Sequence, residues 1–175
     1  GHQVIKFSPD GKVLMRLGRA GVAGSGPDTF NEPCDVITAS NGDIFVSDGH
    51  SGQNENPPPG ATGRIMKFAK DGKFIKEWGR VGSAPGEFRT PHALAFDSKG
   101  RLFVADRGNH RIQIFDQEGK YLDSYEQFSR TDGPGDAIPH GMLSGVVALF
   151  GSDAGPDQDA VHIVGATFSL LGTAE

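Results

Sequence analysis

One hairpin turn occurs three times along this chain, as FSPDGK from Phe7, FAKDGK from Phe68 and FDQEGK from Phe115. Each copy has an aromatic, an acid three positions on, and then Gly-Lys. The segments before the turns, HQVIKF, GRIMKF and HRIQIF, alternate apolar and polar residues with the period of a half-buried strand. The segments after them, KVLMRLG, KFIKEWG and KYLDSYE, read as partner strands. A second repeat precedes the first. PCDVITASNGDIFVSD from Pro33 and PHALAFDSKGRLFVAD from Pro91 align so that Phe45 and Phe103, then Asp48 and Asp106, coincide. A weaker copy, PHGMLSGVVALFGSD from Pro139, places Phe150 and Asp153 one residue early.

Four short antiparallel strands in a unit of nearly 50 residues predict an all-β chain built as a β-propeller. The composition agrees: 26 glycines and 11 prolines punctuate the chain, and 12 phenylalanines against one tryptophan suit short packed strands. The step from Pro33 to Pro91 is lengthened by a polar insertion at 49–63, GHSGQNENPPPGATG, of the kind that lies on one face. Residues 1–30 then form the outer half of one blade, 31–90 and 91–138 two full blades, and 139–175 a degraded or incomplete fourth. About three blades make an incomplete ring, because closed propellers use four or more and an open end leaves a strand edge unpaired. The expectation is a piece of a longer chain, starting at Gly1 in mid-blade, whose remaining sequence supplies the missing blades.

Charge and composition exclude several partners. A net charge of -5 with no Lys/Arg cluster does not suit a phosphate-tracking surface, so nucleic acid is not expected. No apolar run is long enough to span a membrane as a helix. The single Cys34 cannot close an intrachain disulfide. GVAGSG at 21–26 has the glycines of a phosphate cradle, but no Lys-Ser/Thr and no helical pattern follow it.

Several residues stand out for chemistry. Cys34, His92 and His140 each follow the repeated proline, and all three types can ligate zinc. The alternatives are a small buried thiol for Cys34 and strand-entry histidines bonded to backbone. Asp48, Asp106 and Asp153 end the second strand of each unit, where a carboxylate can accept N–H bonds from the following turn. Arg64 and Arg111 head the third strand and read as repeat-keeping. Phe45, Phe103 and Phe150 are expected to pack between blades. His50 borders the insertion, so a loop residue is as good a reading as a base. Arg107 has two readings, a carboxylate clamp or a turn arginine paired with the next blade. His2 and His110 precede matching strands and read as surface residues.

GEFRTPHALAFDSKGRLFVADRGNHRIQIF resembles NHL-repeat propellers. With HQVIKF…LGR and EPCDV…IFVSDG it resembles more closely the six-bladed peptidyl-α-hydroxyglycine α-amidating lyase family, over roughly residues 2–128. That resemblance implies cleavage of a peptidyl-α-hydroxyglycine into a peptide amide and glyoxylate. It implies a central zinc held by three histidines from alternate blades, one of them in the motif that Pro91-His92 matches. Cys34 and His140 fall at non-ligand positions of that pattern. The resemblance also implies a functional arginine at Arg107 and a base at His50, where the family has tyrosine. An imidazole with an unperturbed pKa of about 6.5 suits that work. The other two zinc histidines, a second arginine and most of a central calcium site would lie before Gly1 or after Glu175. A secreted or periplasmic setting is implied too. Two other readings stand beside this one. One is a non-catalytic NHL module that presents a face to a protein or glycan. The other is a propeller hydrolase such as a lactonase, whose acidic and Asn ligands are not evident.

Overall fold

The computed structural model describes residues 1–54 and 56–125, with the backbone of three short strands beyond them. The described residues form strands β1 (Gln3–Phe7), β2 (Val13–Gly18), β3 (Pro33–Thr38), β4 (Ile44–Asp48), β5 (Arg64–Phe68), β6 (Phe74–Trp78), β7 (Pro91–Phe96), β8 (Leu102–Asp106), β9 (Arg111–Phe115), β10 (Tyr121–Tyr125), β11 (Ala148–Leu149), β12 (His162–Gly165) and β13 (Phe168–Ser169). The described residues contain no α-helix, only single 3-10 turns at His50–Gln53 and Arg107–Asn109. Pairing between these strands is antiparallel, while the isolated bridges Ala23–Phe30 and Val81–Phe88 are parallel. β3-β4-β5-β6 and β7-β8-β9-β10 form two four-stranded meanders, β1-β2 a hairpin, and β11-β12-β13 a small sheet. This is the all-β, NHL-type propeller architecture, with complete blades at 33–78 and 91–125. His140, Phe150 and Asp153 lie outside the described residues.

The blades stack through the two faces of their central strands. In β4, Ile44 and Val46 point to the β1-β2 hairpin and join Leu17, Phe30, Met66 and Phe68, whereas Phe45 points the other way. There it meets Phe96 of the next blade edge to face at 5.2 Å, in a cluster with Phe88, Leu94, Leu102 and Phe115. β8 repeats the plan. Leu102 and Val104 face that cluster, while Phe103 and Ala105 face away with Ile112 and Ile114. Both faces of β4, β5, β8 and β9 are buried, so GRIMKF and HRIQIF are not the half-buried strands their alternation predicted: packing on both sides encloses the polar Arg64, Lys67, Arg111 and Gln113 as well. Each phenylalanine so enclosed contributes about 1.5–3 kcal/mol. The last strands β2, β6 and β10 stay largely exposed at the rim, with Leu14, Ile75 and Leu122 each more than 40% open.

The repeated hairpins close as their glycines require. Gly119 adopts φ +80°, and a Cβ there would sit 2.6 Å from the Trp78 ring of the neighbouring blade. Only glycine serves both demands.

Asp48 and Asp106 are structural, but their partners differ from the expected ones. The backbone amides they accept come from the segment that precedes the first strand, not from the turn that follows the second. Asp48 accepts from Asn31 N at 2.7 Å, and Asp106 from Arg89 N at 2.9 Å and Thr90 N at 3.3 Å. Each also holds the arginine that heads the third strand: Arg64 Nε to Asp48 and Arg111 Nε to Asp106, both at 3.0 Å and fully enclosed. The guanidiniums then donate onward to carbonyls of the interblade loop. Arg64 reaches Ser25 O and Thr29 O, and Arg111 reaches Ser83 O, Ala84 O and Glu87 O. GVAGSG thus offers carbonyl oxygens to an arginine.

Candidate functional site where two blades meet

The sequence places Cys34 and His92 second in β3 and β7, and in both strands that position is a bulge. Pairing with the neighbouring strand slips between Pro33 and Asp35 and again between Pro91 and Ala93. A bulge re-aims its side chain and ends regular pairing, which frees this position from the alternation of the strand. β3 and β7 are neighbours across the interface, and Asp35 Oδ2 ties them by accepting from Leu94 N at 2.8 Å.

A second device sets the chain that leaves the second strand. Gly49 N and His50 N donate to Glu32 O, the residue before Pro33, at 3.3 and 3.2 Å. Arg107 N donates to Thr90 O, the residue before Pro91, at 2.8 Å. The same backbone bond therefore ties the turn that carries His50 in one blade, and Arg107 in the next, to the residue before the first strand.

These side chains converge. The His50 and His92 rings lie 5.7 Å apart between centroids. Arg107 Nη2 donates to His50 Nε2 at 3.3 Å and to Gln53 Oε1, and Gln53 Nε2 stands 3.3 Å from His50 Nδ1. The three residues singled out as His50, His92 and Arg107 thus share one site between two adjacent blades. Cys34 borders it. Burial, reinforced by the charge of Asp48, pushes its thiol up to about 12 while the positive charge of Arg107 pulls it down. Such a thiol is protonated and inert near neutrality. Burial also raises the Asp48 carboxyl, opposed by the Arg64 guanidinium.

Arg107 differs from its repeat counterpart. After Asp48 the equivalent position is Gly49, so nothing in the blade plan needs an arginine there. Arg19, Arg64, Arg80, Arg101 and Arg111 each contact a carboxylate, and Arg107 contacts none among the described residues.

Gln53 was not foreseen from sequence. It belongs to the insertion, which has no repeat to align with, and it reaches the site because the loop is folded back by contacts distant in sequence. Arg89 Nη2 donates to Asn54 O at 3.0 Å, Asn31 Nδ2 to Gly60 O at 2.7 Å, and Thr62 Oγ1 to Asn31 O at 3.1 Å. Gly49, at φ +143°, and Gly52 make room: a Cβ would fall 2.1 Å from Thr62 O and 2.2 Å from Arg89 O respectively. Their pairing with the insertion's Thr62 and the repeat's Arg89 was the available signal, but only a structure reveals it.

As a metal centre the described residues are insufficient. No three His, Cys, Asp or Glu side chains among them stand close enough to hold an ion, and His140 lies outside them. Among the described residues no helix is long and apolar enough to cross a membrane.

The NHL repeat family matches residues 88–115, from the buried Phe88 through β7 and β8 to the end of β9. NHL repeat-containing protein 3 of Homo sapiens is 35% identical over 137 residues, covering 77% of this chain and 37% of that protein. Peptidyl-glycine alpha-amidating monooxygenase of Mus musculus is 40% identical over 127 residues, 68% of this chain and 12% of that protein. A probable peptidyl-alpha-hydroxyglycine alpha-amidating lyase of Caenorhabditis elegans is 35% identical over 118 residues, 65% of this chain and 31% of the relative. The chain thus spans 37% or less of each of these curated relatives. One NHL repeat is matched directly at 88–115 and its blade plan recurs at 33–78, so the chain carries an NHL repeat within a partial β-propeller.

Proposed function

We propose that this chain contributes part of an amidating-lyase-type site, in which the whole protein cleaves a peptidyl-α-hydroxyglycine to a peptide amide and glyoxylate. The observation that carries the proposal is the convergence of His50, His92 and Arg107 from two blades onto one site. Similarity to relatives named as amidating enzymes supports it. In this reading His92 is one zinc ligand, and further ligands come from beyond the described residues. Zinc, when bound, polarises substrate oxygens and eases deprotonation of a hydroxyl. Calcium, if it serves here, is likewise held mostly from outside the described residues.

Arg107 is the binding group. A half-buried guanidinium that pairs with no carboxylate among the described residues suits a substrate carboxylate, which it can grip with paired N–H donors. His50 is the proton-transfer group. It can accept a proton only through a lone pair that Arg107 and Gln53 release, because both ring nitrogens are engaged in the ligand-free chain.

Zinc per chain and glyoxylate release from a peptidyl-α-hydroxyglycine, measured on the full protein, test the reading. His92→Ala should lose both zinc and product, and Arg107→Ala should raise KM with zinc retained. A zinc-loaded wild type that releases no glyoxylate overturns it.

A second reading is favoured by the similarity to NHL repeat-containing protein 3. In it the chain is a non-catalytic module whose insertion face docks a protein or glycan. Deleting 52–62 would then abolish capture of that partner while His92→Ala left it intact.

A further inference from the structure

The contacts of Gln53 do not add up as a resting hydrogen-bond network. Arg107 only donates, so the atom of Gln53 that meets it must be the carbonyl oxygen Oε1. That orientation turns the amide Nε2, which also only donates, toward His50 Nδ1 at 3.3 Å. Arg107 Nη2 presents a third donor to the other ring nitrogen. A neutral imidazole has one lone pair in its ring plane and one N–H. Two donors therefore compete for one acceptor, and whichever nitrogen carries the proton faces another donor. Turning the Gln53 amide over would only move the clash onto the guanidinium.

Such a cluster is short of one acceptor. Arg107 Nε and Nη1 have no partner among the described residues and no carboxylate among them pairs with it; Arg19, Arg64, Arg80, Arg101 and Arg111 each have one, and Arg16 and Arg89 do not. A carboxylate would supply that acceptor, with two oxygens matched to the guanidinium's paired N–H donors. We propose that Gln53 is an internal cap on Arg107: its amide carbonyl occupies the guanidinium in the ligand-free protein, and a carboxylate-bearing ligand must displace it. Displacement gives Arg107 a charged partner and frees a ring nitrogen of His50, so ligand entry and availability of the base are one event. The cap's seat is built by the glycines at 49 and 52 and the Arg89–Asn54 bond, which hold the turn carrying Gln53 against the next blade.

This inference rests on the proposal that Arg107 binds ligand, but not on the lyase reaction. It is tested by calorimetric binding of N-acetylglycine to the full protein, with N-acetylglycinamide as the uncharged control. A hydrogen bond to a charged group that no longer competes corresponds to about ten- to a hundredfold tighter N-acetylglycine binding for Gln53→Ala. Gln53→Glu supplies a tethered carboxylate and should weaken binding by a similar factor. The amide should be indifferent to both, and in an Arg107→Gln background Gln53→Ala should have no effect. A folding defect would weaken binding in both Gln53 variants, so opposite signs support the cap. Equal or weaker carboxylate binding by Gln53→Ala, or no binding by any variant, overturns it. If N-acetylglycine binding follows the expected pattern while no glyoxylate is released, the cap stands and the lyase reading falls.

Discussion

Asp106 is the residue whose loss should cost this fold most. It is completely enclosed, and it accepts from Arg89 N, Thr90 N, Asn109 Nδ2, Arg111 Nε and Gln113 Nε2. Asp106→Ala leaves the Arg111 guanidinium, only 6% exposed, without its counter-charge. Breaking such a buried pair from one side costs about 3–5 kcal/mol. The buried Thr90 amide loses its acceptor as well, at about 1–3 kcal/mol. Partial relaxation and water entry make these less than additive, so about 4 kcal/mol is expected, against the 5–15 kcal/mol typical of a whole domain. Urea unfolding of the full protein should show a lower midpoint with an unchanged slope. Arg107→Ala, one residue on, should cost under about 1 kcal/mol, since that residue is partly exposed and pairs with no carboxylate among the described residues. A loss below about 1 kcal/mol for Asp106→Ala, or equal losses for the two variants, would refute the separation of blade-keeping Asp-Arg pairs from the site-bearing Arg107.

Other outcomes follow from the same geometry. A Cys34 thiol shifted from 9.0 to about 12 holds roughly a thousandfold less thiolate at pH 8, so iodoacetamide should label native protein far more slowly than urea-unfolded protein. Because the folded state keeps that proton to higher pH, it binds more protons than the unfolded chain between about 9 and 12. Stability should therefore fall as pH rises through that window, and Cys34→Ala should flatten the fall in a pH series of unfolding curves. Gly119→Ala meets both a positive φ and the Trp78 ring, and should cost more than about 1 kcal/mol, with altered Trp78 fluorescence. The same change at Gly11, where φ is also positive but nothing lies within 4 Å of a new Cβ, should cost less.

The blades were legible because their signals are local and recur. Alternation in GRIMKF and HRIQIF marks β5 and β9, and the in-phase Phe45 and Phe103 mark the strand that faces both neighbours. The same repetition separated Arg64 and Arg111, which occupy matching places, from Arg107, which stands where the other blade has Gly49. What was not legible depends on non-local contacts. Asp48 and Asp106 were recognised as structural, yet their backbone donors lie 16 or 17 residues before them, beyond a local turn rule. Gln53 was invisible because the position of an unrepeated loop is set by Arg89, Asn31 and two glycines rather than by its own pattern. The bulges at Cys34 and His92 were likewise hidden, since each follows a proline that reads only as the start of a strand.

The most direct test of a shared catalytic site at the blade junction is the rate of glyoxylate formation from a peptidyl-α-hydroxyglycine by the zinc-loaded full protein, wild type against His92→Ala. Losing a residue beyond a metal's direct ligands costs 10- to 100-fold, so losing a direct ligand should cost about a hundredfold or more. Steady product formation by the wild type with that loss in the variant is the predicted result. No glyoxylate from the wild type, or equal rates from the two proteins, would contradict it.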